Sequence, residues 1–293
     1  MRTNITHCMM AALLLSGATP TLVLADDMAS YAVDVTARVS SDIRTRGVSD
    51  SLNGPGAKVS IQVAHESGLV ALAEFTTVSK KQFLNGDGVG ILLAGGYRFG
   101  DPDAWHYGLG LASEMFPDAQ FRAPNRFDAE TFELTDERST NYNSQFAVLE
   151  LGYGALEGRI ARVLSKTYRG ANTGGVCGTL LQFRDDPTKG LECYAKGDRN
   201  SRGSMLYDLD YKYALGRNTT LKLHAGYQQI VNFSEANFAD YGVGLVHRWA
   251  GFDWGLDWVT TTTRARELYL AEDDGHRRAT DDDRWVFSIS RQF

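Results

Sequence analysis

Short stretches in which apolar and polar residues alternate recur along almost the whole chain of 293 residues. In one of the clearest of these stretches, Phe252, Trp254 and Leu256 share one parity, and Asp253 and Asp257 share the other. A period of two puts successive side chains on opposite faces of a β-strand, so each stretch predicts a strand with one apolar face. There are about twelve such segments of roughly ten residues, the length of a tilted strand that crosses a membrane.

The connections between these segments alternate strictly between long and short. The short ones are residues 65–68, 100–104, 154–155, 216–218 and 250–251. The long ones are residues 47–56, 79–88, 116–144, 165–203, 230–238 and 263–283. With an even strand count, all short turns lie at one end, as in outer-membrane barrels with short periplasmic turns and long extracellular loops. A soluble β-sandwich has no reason to keep that parity. We therefore predict an all-β, transmembrane, antiparallel up-and-down β-barrel.

Composition argues against two other classes of protein. No stretch reaches the ~18 uninterrupted apolar residues that a membrane-spanning helix needs, so a helical membrane protein is excluded. The net charge of −6 at pH 7 argues against a nucleic-acid partner.

The first 25 residues have the pattern of a secretory signal peptide. Arg2 supplies the positive charge, residues 9–15 form a short apolar run, and residues 23–25 end on small side chains before Asp26. We therefore expect residues 1–25 to be cleaved and residues 26–293 to form the barrel. Export, together with the barrel pattern, predicts the bacterial outer membrane as the location.

Two cysteines remain after that cleavage, Cys177 and Cys193. An even number in an exported protein favours one disulfide, which would close a loop of about fifteen residues and stabilise the fold by ~3 kcal/mol in the chain-entropy model. Two free thiols are the alternative.

The last strand of the predicted barrel is rich in aromatic residues. Trp285, Phe287, Ile289 and Phe293 share one parity, and a closed barrel requires this strand to pair with the first, because an open edge in lipid leaves backbone groups unsatisfied. The segment also resembles the closing-strand signal that the barrel assembly machinery recognises. Arg291 departs from that pattern, and we expect its side chain to reach the headgroups.

Several segments resemble the TorF family of porin-like proteins. The most specific is Ser-Asp-x-x-x-Arg-Gly-x-Ser at residues 41–49, and weaker similarity extends through residues 60–75, 165–168 and 209–227. The resemblance implies an outer-membrane barrel of porin-like character. It does not imply the cysteine pair or the acidic last loop.

The polar parity of each strand predicts the residues that face the lumen. Asp42, Arg44 and Arg46 continue the inward parity of the first strand towards the mouth, where we expect a selectivity constriction. The alternative is that these charges form salt bridges that only stiffen the wall. The full predicted set is Arg38, Asp42, Arg44, Arg46, Lys58, Glu74, Asp208, Asp210, Lys212, Lys222, His224 and Asp257.

Two functions fit this barrel. The first is a porin-like channel for passive diffusion of small hydrophilic solutes. The second is a structural or adhesive barrel whose long loops, residues 116–144 and 165–203, bind a partner. The expected partners are outer-membrane lipid and lipopolysaccharide, the barrel assembly machinery and the solutes, with no nucleic acid.

An enzyme is not expected. Barrel phospholipases and proteases need a histidine near the outer rim, and only His276 falls in an outer loop, beside Asp273 and Asp274 and the run 281–283. That cluster could bind a divalent cation or the counter-ions of lipopolysaccharide, but it lacks the ligand spacing of a calcium loop. A solvated acidic loop is the simpler interpretation, and we expect no cofactor and no metal.

Overall fold

The computed structural model describes residues 30–101, 103–183 and 186–293. The expected signal peptide, residues 1–25, lies outside the described residues. Twelve long strands form the fold, and we number them β1 to β12. They are β1 Tyr31–Ser40, β2 Gly56–His65, β3 Leu69–Thr77, β4 Val89–Gly100, β5 Trp105–Met115, β6 Ser144–Tyr153, β7 Leu156–Val163, β8 Met205–Ala214, β9 Thr219–Gln229, β10 Phe238–Trp249, β11 Phe252–Thr263 and β12 Arg284–Gln292.

The twelve strands form one closed antiparallel barrel in which each strand pairs with its neighbours in sequence. Closure comes from β1 and β12, with Thr36 opposite Gln292 and Ser40 opposite Ser288. Closure leaves no free sheet edge, which is the requirement for β-structure in lipid. The predicted all-β barrel of about twelve strands is confirmed.

The connections also follow the predicted parity. The turns after β2, β4, β6, β8 and β10 are short, whereas the connections after the odd-numbered strands are long. Every long loop therefore lies at the end of the barrel that is extracellular in outer-membrane proteins, and every short turn lies at the periplasmic end.

The outer surface of the barrel is apolar. Leu111, Trp249 and Trp285 are each more than 60% exposed, and they belong to the apolar parity of their strands. At the short-turn end, aromatic rings pack against each other, as in Trp105 with Tyr153 at 5.1 Å between ring centroids. An apolar band with an aromatic girdle is the surface of a barrel that sits in the outer membrane.

The closing strand presents its predicted aromatic face to lipid. Trp285, Phe287 and Phe293 are exposed on the outside, and Ile289 is partly exposed between them. Arg291 shares this face, with its guanidinium carbon 5.6 Å from the Phe252 ring centroid and 5.2 Å from that of Phe293. Cation–π contact with two rings at the periplasmic rim accommodates a charge that would be costly deeper in lipid.

The long loops contain folded structure of their own. The loop after β7 carries two helices, α1 Thr173–Phe183 and α2 Thr188–Ala195, which the strand periodicity did not predict. The loop after β5 forms an outer hairpin, Gln120–Asp128 with Glu133–Asn141, and the loop after β11 forms a rim hairpin, Leu270–Asp273 with His276–Ala279. In the described part of the chain, no helix is long and apolar enough to cross a membrane.

The helices cover part of the extracellular mouth with a small apolar core. Val176 and Leu180 of α1 pack with Tyr194 of α2 against Phe146 and Leu206, which face inward at the tops of β6 and β8. The Cys177–Cys193 disulfide, the predicted pair, joins the two helices and is buried in this core. The disulfide therefore holds together the apolar cap that α1 and α2 form over the mouth.

Candidate functional site

The segment after β1 folds into the barrel. β1 ends at Ser40, so the expectation that Asp42, Arg44 and Arg46 continue this strand is wrong. Instead, Arg44–Thr45 pairs with Val48–Ser49 in a lumen hairpin. Ser41 still contacts β12, because it donates its backbone N–H to the Phe287 carbonyl at 2.8 Å, but it accepts the Phe287 N–H on its side-chain hydroxyl at 3.0 Å, where a regular strand would use a backbone carbonyl.

The buried carboxylate of Asp42 holds the base of the lumen hairpin. Asp42 accepts hydrogen bonds from the hydroxyls of Ser49 at 2.6 Å and Ser51 at 2.9 Å, and from Arg44 Nε at 2.7 Å. Arg44 is 5% exposed as a side chain and also donates to the Gly47 carbonyl at 2.6 Å. A carboxylate that accepts several charged or buried hydrogen bonds fixes the loop that supplies them. Arg44 therefore braces the hairpin internally.

The tip of the lumen hairpin contacts the opposite wall. Arg46 forms an ion pair with Asp208 on β8, donates to the Tyr207 carbonyl at 2.9 Å, and lies 3.6 Å from Asp240 on β10. These strands are far from β1 in the barrel order, so the hairpin crosses the lumen. The contact between Arg46 and these two carboxylates latches the hairpin across the pore.

Gly47 makes this close approach possible. Its φ is +76°, and a Cβ there would lie 2.2 Å from Thr261 Oγ1 and 3.0 Å from Asp240 Cβ. Arg46 also has a positive φ, of 52°, so the two residues form the type I′ turn that favours Gly at its second position. The Arg-Gly pair of the sequence string 41–49 is therefore the tip itself.

Another arginine, Arg169, enters the lumen from the loop after β7. Arg169 donates to Asp50 at the hairpin base, at 2.8 and 3.1 Å, and to Glu114 on β5, at 2.9 Å. Burial opposes its charge, but these two carboxylates outweigh that effect and hold the pKa of Arg169 well above its usual value. Arg169 therefore ties the lumen hairpin to β5.

The wall below the hairpin tip carries a chain of polar contacts centred on His224. Its Nδ1 lies 2.8 Å from Asp210 and its Nε2 lies 2.8 Å from Asp240. Asp240 also faces Arg46, so the chain joins the wall to the hairpin tip. An imidazole between two carboxylates satisfies both when each nitrogen donates.

A cavity of about 500 Å³ lies beneath and beside the lumen hairpin. It is lined by the hairpin, by Arg169's partners Asp50 and Glu114, and by inward side chains from most of the strands. All twelve residues predicted to face the lumen line this one cavity, namely Arg38, Asp42, Arg44, Arg46, Lys58, Glu74, Asp208, Asp210, Lys212, Lys222, His224 and Asp257.

Four residues of the site were not in the predicted set. The sequence could have identified Asp240 and Glu114 as inward-facing, because each lies on the polar parity of its strand beside outward Tyr241 and Met115. It could not have identified Asp50 and Arg169, because both lie in long loops where periodicity does not predict the direction of a side chain. Their roles come only from the way the loops fold inward.

The acidic last loop pairs with cations instead of gathering into one cluster. Asp273 contacts Lys81 and lies 2.9 Å from Arg278, and Asp281 accepts from the Thr263 hydroxyl at 2.7 Å. Among the residues with described positions, no group of three or more His, Cys, Asp or Glu side chains is arranged to hold a metal ion.

The sequence matches a family profile described as "Bacterial protein of unknown function (Gcw_chp)" over residues 25–293. The chain belongs to this family. The description names no activity, so the TorF resemblance stays a prediction. No curated protein is significantly similar in sequence.

Solved structures with similar folds include outer-membrane porins and channels. The NanC porin matches with a TM-score of 0.49 and 11% identity, over 88% of this chain and 98% of that one. The KdgM porin matches with 0.46 and 8% identity, over 89% and 98%. An outer-membrane channel from Pseudomonas putida F1 matches with 0.37 and 13% identity, over 94% and 100%. These likenesses are too distant to carry a function, and the barrel assignment rests on the closed sheet itself.

Proposed function

We propose that the protein is an outer-membrane channel through which small hydrophilic solutes diffuse passively. The observation that carries this proposal is the charged cavity of about 500 Å³ inside a closed barrel. That volume is within the range of small-molecule sites and equals roughly seventeen waters at ~30 Å³ each. A cavity lined by this many charged side chains holds water in this proposal, because charges are costly away from water.

In this proposal the lumen hairpin forms the constriction. Its tip reaches from β1 to β8 and β10, so a solute must pass beside it. The twelve predicted residues divide into two roles. Asp42 and Arg44 brace the hairpin and Arg46 latches it, whereas the other nine form the wall past which the solute moves. Opposed charges at such a narrowing orient water and solutes.

A structural or adhesive barrel is the second candidate, and one observation favours it. The outer hairpin extends from the mouth, and Phe132 at its tip is 79% exposed. An exposed aromatic at a loop tip is a contact that a partner protein can bury. The apolar cap beneath it gives such a platform rigidity.

The remaining expectations belong to the same proposal. We assign cleavage of residues 1–25, recognition of the closing strand by the barrel assembly machinery, and contact of the rim with lipopolysaccharide. We also assign the protein to porin-like transport, as the TorF resemblance implies, without catalysis or cofactor.

A planar-bilayer recording tests the channel. The chain without residues 1–25, refolded in detergent, is added to a lipid bilayer, and we expect discrete current steps of uniform size. Heat-unfolded protein in the same detergent is the control and should give none. Folded barrels that insert without current steps would leave the adhesive function as the surviving candidate.

A further inference from the structure

The outward face of the barrel wall changes from apolar to basic at the extracellular edge of β7. Leu156 and Ile160 face outward and are exposed. The next outward residue of the strand is Arg162, which is also exposed. Two further exposed cations, Lys166 and Arg202, lie in the loop after β7. We call Arg162, Lys166 and Arg202 the basic patch.

The basic patch begins at the level of the lipid headgroups. Tyr207 faces outward on β8, directly opposite Ile160, and its ring stacks on that of Tyr227 with 6.4 Å between the centroids. Arg162 lies two residues further towards the extracellular end, opposite Met205. Tyrosine rings are enriched where the bilayer meets water. A cation just beyond them therefore reaches the depth of the headgroup phosphates.

A tight turn brings Arg202 to the same edge. Residues 201–204 form this turn, which is closed by a backbone hydrogen bond of 3.2 Å from the fourth residue to the first. Gly203 has a φ of +86° and donates its backbone N–H to the Val163 carbonyl at 2.9 Å. Both serines of the turn are fully buried, so its exposed tip, Arg202, points away from the barrel. Because Val163 directly follows Arg162, the two arginines lie near each other at the rim.

The basic patch has no counter-charge from the protein. None of its three cations forms an ion pair with any residue that the structure describes. The acidic residues of the adjoining loops pair elsewhere, Asp198 with Arg138 at 2.7 Å and Glu235 with Lys196 at 3.9 Å. The outward residues of β6, β7 and β8 include no Asp or Glu. The patch is therefore open to an anion from outside the chain.

Several other cations at the extracellular end are neutralised within the chain. In the rim hairpin Asp273 contacts Lys81 and Arg278, and in the same loop Arg266 pairs with Asp282. An exposed ion pair presents little net charge to its surroundings. Three unpaired cations attract an anion within a screening length of about 8 Å at physiological ionic strength.

We propose that the basic patch binds the phosphate groups of a lipopolysaccharide molecule in the outer leaflet. This inference rests on the lipopolysaccharide contact proposed above for the rim, and it assigns that contact to one side of the barrel. Arg162 and Arg202 supply planar forks that match phosphate oxygens, and Lys166 supplies a point charge. The acyl chains of the bound molecule lie along the apolar outward face of β6 to β8. Binding does not depend on conduction through the lumen.

The test measures binding of lipid A, the phosphorylated anchor of lipopolysaccharide, to the detergent-solubilised barrel by native mass spectrometry. The double variant Arg162→Ala/Arg202→Ala removes both arginines of the patch. The control Arg122→Ala/Arg217→Ala also removes two exposed arginines, one on the outer hairpin and one in the short turn after β8. Lipid A without phosphates and inorganic phosphate are the comparison ligands.

We expect the unaltered protein and the control to bind one lipid A molecule with equal affinity. In Arg162→Ala/Arg202→Ala the dissociation constant should rise roughly twentyfold, because each cation beside an anionic lipid surface contributes about fivefold. Lipid A without phosphates should bind all three proteins equally weakly. Inorganic phosphate at millimolar concentration should not displace lipid A, because it lacks the acyl chains that contact the barrel.

The possible failures can be told apart. If Arg162→Ala/Arg202→Ala keeps its affinity, or weakens no more than the control, the basic patch is wrong while a lipopolysaccharide contact elsewhere on the rim survives. Displacement by inorganic phosphate would show an anion site that is not specific for the lipid, and would also overturn the proposal. If none of the proteins binds lipid A, the rim contact itself is wrong. The channel function is decided separately, by the bilayer recording.

Discussion

Two hairpins of this protein share one backbone turn and lie in opposite environments. The lumen hairpin turns at Arg46 and Gly47 with φ of 52° and 76°, and the rim hairpin turns at Asp274 and Gly275 with φ of 51° and 79°. Arg46 is 8% exposed as a side chain and pairs with two carboxylates, whereas Asp274 is 89% exposed. The turn conformation is thus set locally, whereas the side chain at the first turn position decides whether the hairpin contacts the barrel wall.

The largest expected effect comes from removing that side chain in the lumen hairpin. Arg46→Ala leaves Asp208 without its cation and Asp240 with His224 alone, and breaking a buried ion pair costs about 3–5 kcal/mol. Asp274→Ala changes the same turn position in the rim hairpin and should have little effect, because exposed pairs contribute little. Urea unfolding in detergent measures both variants.

The same substitution should change the current. Without its latch the lumen hairpin no longer spans the pore, so Arg46→Ala should give a larger single-channel conductance than Asp274→Ala. Equal stability and equal conductance in both variants would show that the Arg46 contacts do not hold the hairpin.

The second expected effect is smaller and separates turn strain from docking. Gly275→Ala meets no heavy atom within 4 Å, so it should cost only the left-handed penalty of about 1–2 kcal/mol. Gly47→Ala has the same penalty and also pushes against Thr261 and Asp240. We expect its loss in urea stability to exceed that of Gly275→Ala clearly.

A second-site change checks the cause of that excess. Thr261→Ala removes the hydroxyl oxygen nearest to the added methyl, and this oxygen has no hydrogen-bond partner among the described residues. Gly47→Ala/Thr261→Ala should therefore recover part of the lost stability. If Gly47→Ala and Gly275→Ala cost the same, the lumen tip does not contact the wall closely.

The two hairpins also show what the sequence could predict. Period two predicts the strands and their inward faces, so Lys58, Asp208 and Asp257 are on the predicted side. The Arg-Gly and Asp-Gly pairs are turn signals of equal strength. What distinguishes them is a partner 162 residues away in the chain, Asp208 for Arg46. Local pattern contains no information on that pairing, so the inward fold of the hairpin was not predicted.

The helices were missed for a related reason. Val176 and Leu180 are four residues apart and lie on one face of α1, but a helix this short is recognised chiefly by what it packs on. Its partners, Phe146 and Leu206, come from two strands of the barrel. The cysteine pair could be predicted because export and an even count are properties of the sequence alone.

The smallest expected effect concerns salt and the rim hairpin. Lys81 of the neighbouring loop contacts Asp273 and lies 3.1 Å from Asp274. The hydrogen bond from Lys81 lowers the pKa of Asp273, and the bond to Asp273 raises the pKa of Lys81. The lowered pKa of Asp273 adds to the stability of the folded rim at pH values above the ordinary carboxyl pKa near 3.9. The raised pKa of Lys81 adds to it at pH values below the ordinary lysine pKa of about 10.4, so the contact is intact at neutral pH.

Raising NaCl from about 0.1 M to 1 M shortens the screening length from about 10 Å to 3 Å, which weakens exposed ion pairs far more than buried ones. Amide hydrogen exchange at pH 7 should therefore quicken in Leu270–Asp273 and His276–Ala279, and stay unchanged in Arg44–Thr45 and Val48–Ser49. Lys81→Ala should reduce the salt effect at the rim and leave the part that comes from the ion pair of Arg278 with Asp273. Acid should release the rim contact only below about pH 4, as Asp273 gains its proton. Equal salt sensitivity in the two hairpins would mean that the lumen ion pairs are screened like surface ones, and the lumen hairpin would then be a mobile loop instead of a fixed constriction.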